Sequence, residues 1–412
     1  MINHKNTREQ KLQRIIESEK ILNEIQDVDV LLERLLTEAR SIVHADAGSI
    51  YVCENENLKI KYTQNDTQQR NLALGQKIPY SYFSFPINEK SISGYCVVTG
   101  NLVNVKDVYA IPSDKPYKFN SQPDLLTGYK THSILSIPLR TAAGHTLGVL
   151  QIINPLDEEG NAISFDDDAE LYIKHFAASA TQALERTYLT RGMIMRLVKM
   201  AGLRDPKETS HHVQRVSRFA VEIYDTWANK KGISPEEQNR YRDSLSIAAM
   251  LHDCGKVGIS DAILKKPARF TPEEHDIIKM HCCVGAKLFY PYQSLLDEMV
   301  LEVVLHHHEK WDGTGYPGEI DIEKANDGDL NSMIHGKPMQ KEEIPLSARI
   351  VALADVFDAL SSKRVYKEEW SEEDVLNEVQ ESAGKHFDPD VVMAFFEVLP
   401  TLRGIQASFA EV

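Results

Sequence analysis

The chain is predicted to fold in two parts: an α+β domain, its antiparallel sheet flanked by helices, joined by a long helix to an all-α domain. Three observations predict this. Between about residues 45 and 155, short apolar or alternating runs are separated by polar turns, the pattern of strands. From Asp166 to about Met200, apolar side chains recur at steps of three and four, the pattern of one long helix. Beyond that point the apolar runs are helical, and ten of the fifteen histidines lie after residue 210. The expected boundaries are an N-terminal helix over 1–24, the α+β domain over 25–165, a linking helix over 166–200 and the all-α domain over 201–412.

Composition bounds the function. At 412 residues the chain can hold two or three domains. A formal charge of −15 and the lack of a Lys/Arg stripe argue against nucleic-acid binding. Five unevenly spaced cysteines form no disulfide framework and fit a reducing cytosol. No apolar run approaches the ~18 residues of a membrane span. The start, MINHKNTREQKLQRI, lacks the apolar core of a secretion signal. A cytoplasmic location is expected.

In chain order, Ile15, Ile16, Ile21, Leu22 and Ile25 give a first helix its stripe, and Val28–Ile42 forms a second. Strands are expected at Ala47–Cys53, Leu58–Tyr62, Asn104–Val108, Ser133–Leu139 and Thr146–Asn154, with ISGYCVVTGNLVNVKDV read as a helix feeding a strand. On the linking helix, Ile173, Phe176, Ala180 and Leu184 are expected to form an exposed apolar seam. Such a seam pairs with a copy of itself, which predicts a parallel homodimer that the N-terminal helix joins; packing of the seam back on the sheet is the alternative.

The strings SISGYCVVTGNLVNVKDV, SILSIPLRTAAGHTLGVLQIINP and FDDDAELYIKHFAASATQALERTYL resemble a GAF domain over about residues 20–188. The resemblance implies a small-ligand sensor or dimerisation module, whose ligand is unknown. Asn154 is followed by Pro155, and Phe165 by three aspartates, which breaks the pattern of the cyclic-nucleotide-binding members.

The second half carries the chemistry. Glu208 and His212 are four apart, so a helix stacks them on one face, where they can grip divalent ions. SLSIAAMLHDCGK is an apolar helix ending in His252-Asp253, and burying that pair is costly unless a metal neutralises it. Lys256 stands three residues on, after Gly255, as a point charge suited to a phosphate. His281 sits in the helical run IIKMHCCVGAKLF, where adjacent Cys282 and Cys283 do not match zinc-knuckle spacing and read as packing. An apolar helix precedes His306-His307-His308-Glu309, and the loop WDGTGYP follows. Asp355 falls on the buried stretch of IPLSARIVALADVFDAL, with Asp358 nearly a turn on as a supporting group.

Together the strings RDPKETSHHVQRV, HDCGKVGI, HCCVGAKLF, HHHEKWDGTGYPGEI and IPLSARIVALADVFDALSSKRVYK resemble the HD-GYP family, the cyclic di-GMP phosphodiesterases of the HD hydrolases, over about Arg204–Lys367. The resemblance implies that His212, His252, Asp253, His281, His307, His308 and Asp355 are metal ligands. Glu208 matches an acid that, in part of the family, helps to hold a third metal. Lys256 matches the lysine on the scissile phosphate. Arg364 and Lys367 match basic residues that hold the substrate phosphates, and Tyr316, in the GYP string, is grouped with them as substrate-binding. The implied cofactors are two or three divalent ions; a His and carboxylate set without thiolate favours iron or manganese, with iron the commoner in the family.

Two ions about 3.5–4 Å apart would ready a hydroxide for attack on phosphorus, opening cyclic di-GMP to pGpG and, with three, continuing to GMP. Two alternatives stand beside this: another HD nucleotide hydrolase, acting on a mixed cyclic dinucleotide or an alarmone, and a non-catalytic cyclic di-GMP receptor. Two departures from the family are expected to be extra sequence. EKANDGDLNSMIHGKP, 323–338, is read as a disordered surface loop, with a cover over the site that alters substrate choice as the alternative. NKKGISPEEQNRYRD is read as a smaller insertion between two helices.

Overall fold

Six antiparallel strands make the sheet of the first unit, in the order β3-β2-β1-β6-β5-β4. They are β1 (Ala45–Glu54), β2 (Asn57–Asn65), β3 (Ser84–Pro86), β4 (Val103–Val105), β5 (Ile134–Arg140) and β6 (Thr146–Pro155). The structure is a computed structural model that describes residues 8–70, 84–203, 210–266, 268–325, 329–361 and 370–409. The chain divides into two units, Met1–Thr190 and Arg191–Val412. The central strands β1 and β6 are buried along most of their length, which is why β6 reads as a near-continuous apolar run. The three-residue β3 carries too little pattern to be seen in the sequence.

Helices Arg8–Glu24 and Val28–Ile42 are separated by Asp27, whose Oδ1 accepts from the N–H groups of Asp29 and Val30 and so caps the second. One sheet face packs on these helices through Leu31, Leu35, Ile50, Leu150 and Phe176. The other packs on helix Ile92–Thr99 through Ile92, Cys96, Leu58 and Val149. Asn154, at φ 53°, acts as a bracket. Its Oδ1 accepts from His132 N and Ser133 N, and its Nδ2 donates to Tyr129 Oη and Lys130 O.

The linking helix runs from Asp167 to Gly202. Here the structure corrects the expected seam: Ile173, Phe176, Ala180 and Leu184 are all fully buried in the first unit's own core. A helical period reports that one face is apolar, not which surface covers it, and the sheet claims this one. The exposed apolar face comes later, at Leu189, Met193, Leu197 and Met200.

Among its described residues the second unit holds helices and no strand. Phe219, Phe357 and Phe395 pack edge to face at the centre of its core, with centroids 5.3 and 4.9 Å apart. The stretch 229–243 is helix on both sides of a short turn, which ends at Ser234 in a capping box with Glu237. The segment 323–338 is corrected as well. Its described residues include the helix Leu330–Ile334, and Met333 and Ile334 are buried. Two apolar side chains in a polar stretch, with backbone bonds at Gly336 and Lys337, dock it. No helix is long and apolar enough to cross a membrane.

Candidate metal centre

Helix Pro235–Leu251 buries Ala248, Ala249 and Met250 and delivers His252 and Asp253 at its end. The chain then tightens into a turn, Cys254–Gly258. A Cβ on Gly255 would lie 1.9 Å from the His281 carbonyl oxygen and 2.5 Å from Gly285 N. Only glycine lets this turn press against helix His281–Lys287, and that contact sets Asp253 beside His281.

Four histidines share one arrangement. Nδ1 of His252 lies 2.8 Å from Ala249 O, that of His281 2.7 Å from Ile278 O, and that of His307 3.0 Å from Val303 O. Nδ1 of His212 lies 2.7 Å from Asp358 Oδ2. Each acceptor draws the proton to Nδ1 and leaves Nε2 as a lone-pair donor. All four Nε2 atoms point inward. Those of His281, His307 and His252 stand 3.2 Å from Asp253 Oδ1, 3.7 Å from Oδ1 and 3.3 Å from Oδ2. That of His212 stands 3.4 Å from Asp355 Oδ1.

Two donor groups result. Asp253, His281, His307 and His308 form one; His212, His252 and Asp355 form the other; within each the donor atoms lie within 4.8 Å of one another. Asp253 Oδ1 and His307 Nε2 are buried and have no hydrogen-bond partner among the described residues. Burial alone would raise the Asp253 carboxyl, but Lys256, with Nζ 2.7 Å from Oδ2, and the histidines outweigh it and hold it well below the usual range. Asp355 is likewise lowered, its burial outweighed by His212 and His252. Burial lowers His307 against the pull of Asp253, and burial with the neighbouring histidines lowers His308, so both are neutral at neutral pH. Neutral imidazoles facing carboxylates, with no thiolate among them, fit divalent cations.

Tyr316 stacks on His308, centroids 4.9 Å apart at 28°, with Lys279 Nζ 5.6 Å above its ring. Burial raises its phenol, which stays protonated. Glu208, Arg364 and Lys367 lie outside the described residues. The remaining residues singled out in the sequence fall in this one neighbourhood. Cys282 and Cys283 are buried packing residues beside it; burial raises the Cys282 thiol.

Two supporting roles escaped the sequence reading, that of Arg215 and that of Glu309 at the end of the HHE string. Arg215 donates to both oxygens of Asp358, Nε to Oδ1 at 2.6 Å and an NH2 to Oδ2 at 2.9 Å, and so fixes the support of His212. Its place three residues after His212, on the same helix face, was the available signal. Glu309 is buried and its Oε1 accepts from Gly318 N at 2.5 Å, which ties the GYP loop to the histidine run.

A GAF domain model matches residues 27–184, and HD domain models match 209–360 and 335–391. The chain joins a GAF domain to an HD domain. The HD domain thus holds both donor groups, and divalent metal binding is its implied property. Similar proteins include the 3'3'-cGAMP-specific phosphodiesterase 2 of Vibrio cholerae, 34% identical over 205 residues, covering 50% of this chain and 34% of the relative. A cyclic di-GMP phosphodiesterase of the same organism is 35% identical over 287 residues, covering 68% of this chain and 53% of the relative. One of Thermotoga maritima is 34% identical over 205 residues, covering 50% and 48%. The chain therefore spans between a third and about half of the length of these relatives.

Proposed function

We propose that this chain is a metal-dependent phosphodiesterase of the HD-GYP type that opens cyclic di-GMP to pGpG, and proceeds to GMP where Glu208 helps to hold a third cation. One observation carries the reading: Asp253 turns Oδ1 toward His281 and His307 and Oδ2 toward His252, one oxygen to each donor group. A carboxylate shared in this way joins two cation sites into one centre.

The bound ions, iron or alternatively manganese, supply Lewis acidity and a water of lowered pKa. The chain's own residues do the rest. Asp253 and Asp355 stay ionised and, with the neutral imidazoles, hold the cations. Lys256 places an ammonium beside Asp253 Oδ2, where it offsets charge building on the phosphoryl oxygens. Tyr316 presents a protonated phenol and a ring face to the substrate. Arg364 and Lys367 bind its phosphates against an overall charge of −15.

3'3'-cGAMP is the second candidate substrate, because a relative equally similar to this chain bears its name. The protein acts in the cytoplasm as a homodimer, through the N-terminal helix and the exposed Leu189–Met200 face of the linking helix, and a small ligand of the GAF domain regulates it. Aerobic and anaerobic purification with metal counting, followed by chromatography of cyclic di-GMP and 3'3'-cGAMP digests, tests the activity. Two or three metals per chain and release of pGpG are expected; a metal-replete protein inert toward both dinucleotides refutes it. Light scattering at twice the chain mass is expected of the dimer, and a monomer at micromolar concentration refutes that part.

A further inference from the structure

The segment that follows the GYP loop is built into the wall of the centre. Ile322, Met333 and Ile334 pack with Cys282, Cys283 and Leu305 in a small apolar cluster, and Tyr316 lies at its edge. Two of those partners belong to the helix that begins at His281, and Leu305 belongs to the helix that ends at His306.

The backbone adds a second hold. Gly336 N donates to Pro317 O at 2.7 Å, and Glu319 N donates to Lys337 O at 2.8 Å. The two strands of chain are too close for side chains. A Cβ on Gly318 would lie 2.6 Å from Lys337 O, and one on Gly336 would lie 2.5 Å from Glu319 O. On its other side, Gly318 N is taken by Glu309. Tyr316, Pro317 and Gly318 are therefore clamped between the histidine run and this segment.

We propose that residues 319–325 and 329–337 form a positioning element: through Met333 and the Gly336 N–H it holds the Tyr316 ring on His308, and thereby sets affinity for the dinucleotide while leaving metal binding and the chemical step nearly untouched. The affinity clause rests on the phosphodiesterase reading above; the positioning clause does not. Among the described residues of the segment none belongs to either donor group, so its influence passes through Tyr316.

The test uses the full chain with Met333→Ala, with Met333→Leu as the volume-conserving control. Met333→Ala is expected to raise KM about tenfold with kcat within about threefold and the metal count unchanged. It is also expected to speed hydrogen exchange at the Gly318 amide, and Met333→Leu restores both. Ile334→Val, which deletes one methylene, is expected to shift KM and exchange the same way by about twofold. Unchanged KM and unchanged Gly318 exchange in folded variants overturn the proposal. So does joint loss of metal and kcat that Met333→Leu does not rescue, which marks a merely structural part. If the unsubstituted chain opens no cyclic dinucleotide, the phosphodiesterase reading fails instead. Gly318 exchange then still decides the positioning: faster in Met333→Ala upholds it, unchanged overturns it.

Discussion

Two buried polar clusters, one in each unit, follow opposite rules. In the GAF sheet, the Tyr51 hydroxyl donates to Gln151 Oε1 at 3.1 Å, and Gln151 Nε2 donates to Ser93 Oγ at 3.0 Å and Ser136 Oγ at 2.9 Å. Donor meets acceptor at each contact, so this network is scaffold. In the HD domain the imidazole N–H groups are spent outward on carbonyls and on Asp358, and lone pairs face carboxylate oxygens inside. Acceptor faces acceptor, and a cation reconciles them. The lesson is that burial of polar groups alone does not mark a functional centre; the mismatch of their roles does.

The sharpest way to break this contrast is Asp253→Ala. Bound metal and turnover are both expected to fall to background, and retention of the full metal count would separate the centre from these residues. Lys256→Ala is expected to keep its metal while kcat falls by roughly 10²–10³, the effect of losing one charge-stabilising donor; loss of metal in the same variant would make the lysine structural. Asp358→Ala removes the support of His212 and is expected to cost about 10–100-fold in metal affinity, read by competition with a chelator. Chelation of the unsubstituted protein should lower the melting transition of the HD domain and leave that of the GAF domain in place. The loss amounts to about 2.7 kcal/mol if the metal stands at a hundred times its Kd. Gln151→Leu should do the reverse: it strands the hydroxyls of Tyr51, Ser93 and Ser136 and costs the GAF domain about 1–3 kcal/mol, with metal content unmoved.

Much of the centre was legible because its chemistry is tied to residue type and spacing. His252-Asp253 at the end of an apolar helix, and histidines after another, announce a buried charged site before any fold is known. Asp358 was recognisable as a support from its place three residues after Asp355. That it serves His212, 146 positions away, was not, since that pairing exists only once the helices pack. The linking helix shows a second limit. Ile173, Phe176, Ala180 and Leu184 carry a clear period, but the period cannot name its partner, and the sheet rather than a second copy took them. The segment after the GYP loop shows a third. Its composition reads as solvated loop, while Met333 and Ile334 are buried and its backbone is bonded to Pro317 and Glu319.

Asp355 and Asp358 ride on one helix, Leu346–Ser361. One faces His212 Nε2 and the other grips His212 Nδ1, so the same ring is held front and back from a single rod. A slip of that rod by a fraction of a turn withdraws a ligand and unseats its neighbour in one stroke. The His212, His252 and Asp355 group should therefore empty before the group around His281, which makes the seating of this helix a key to one half of the centre.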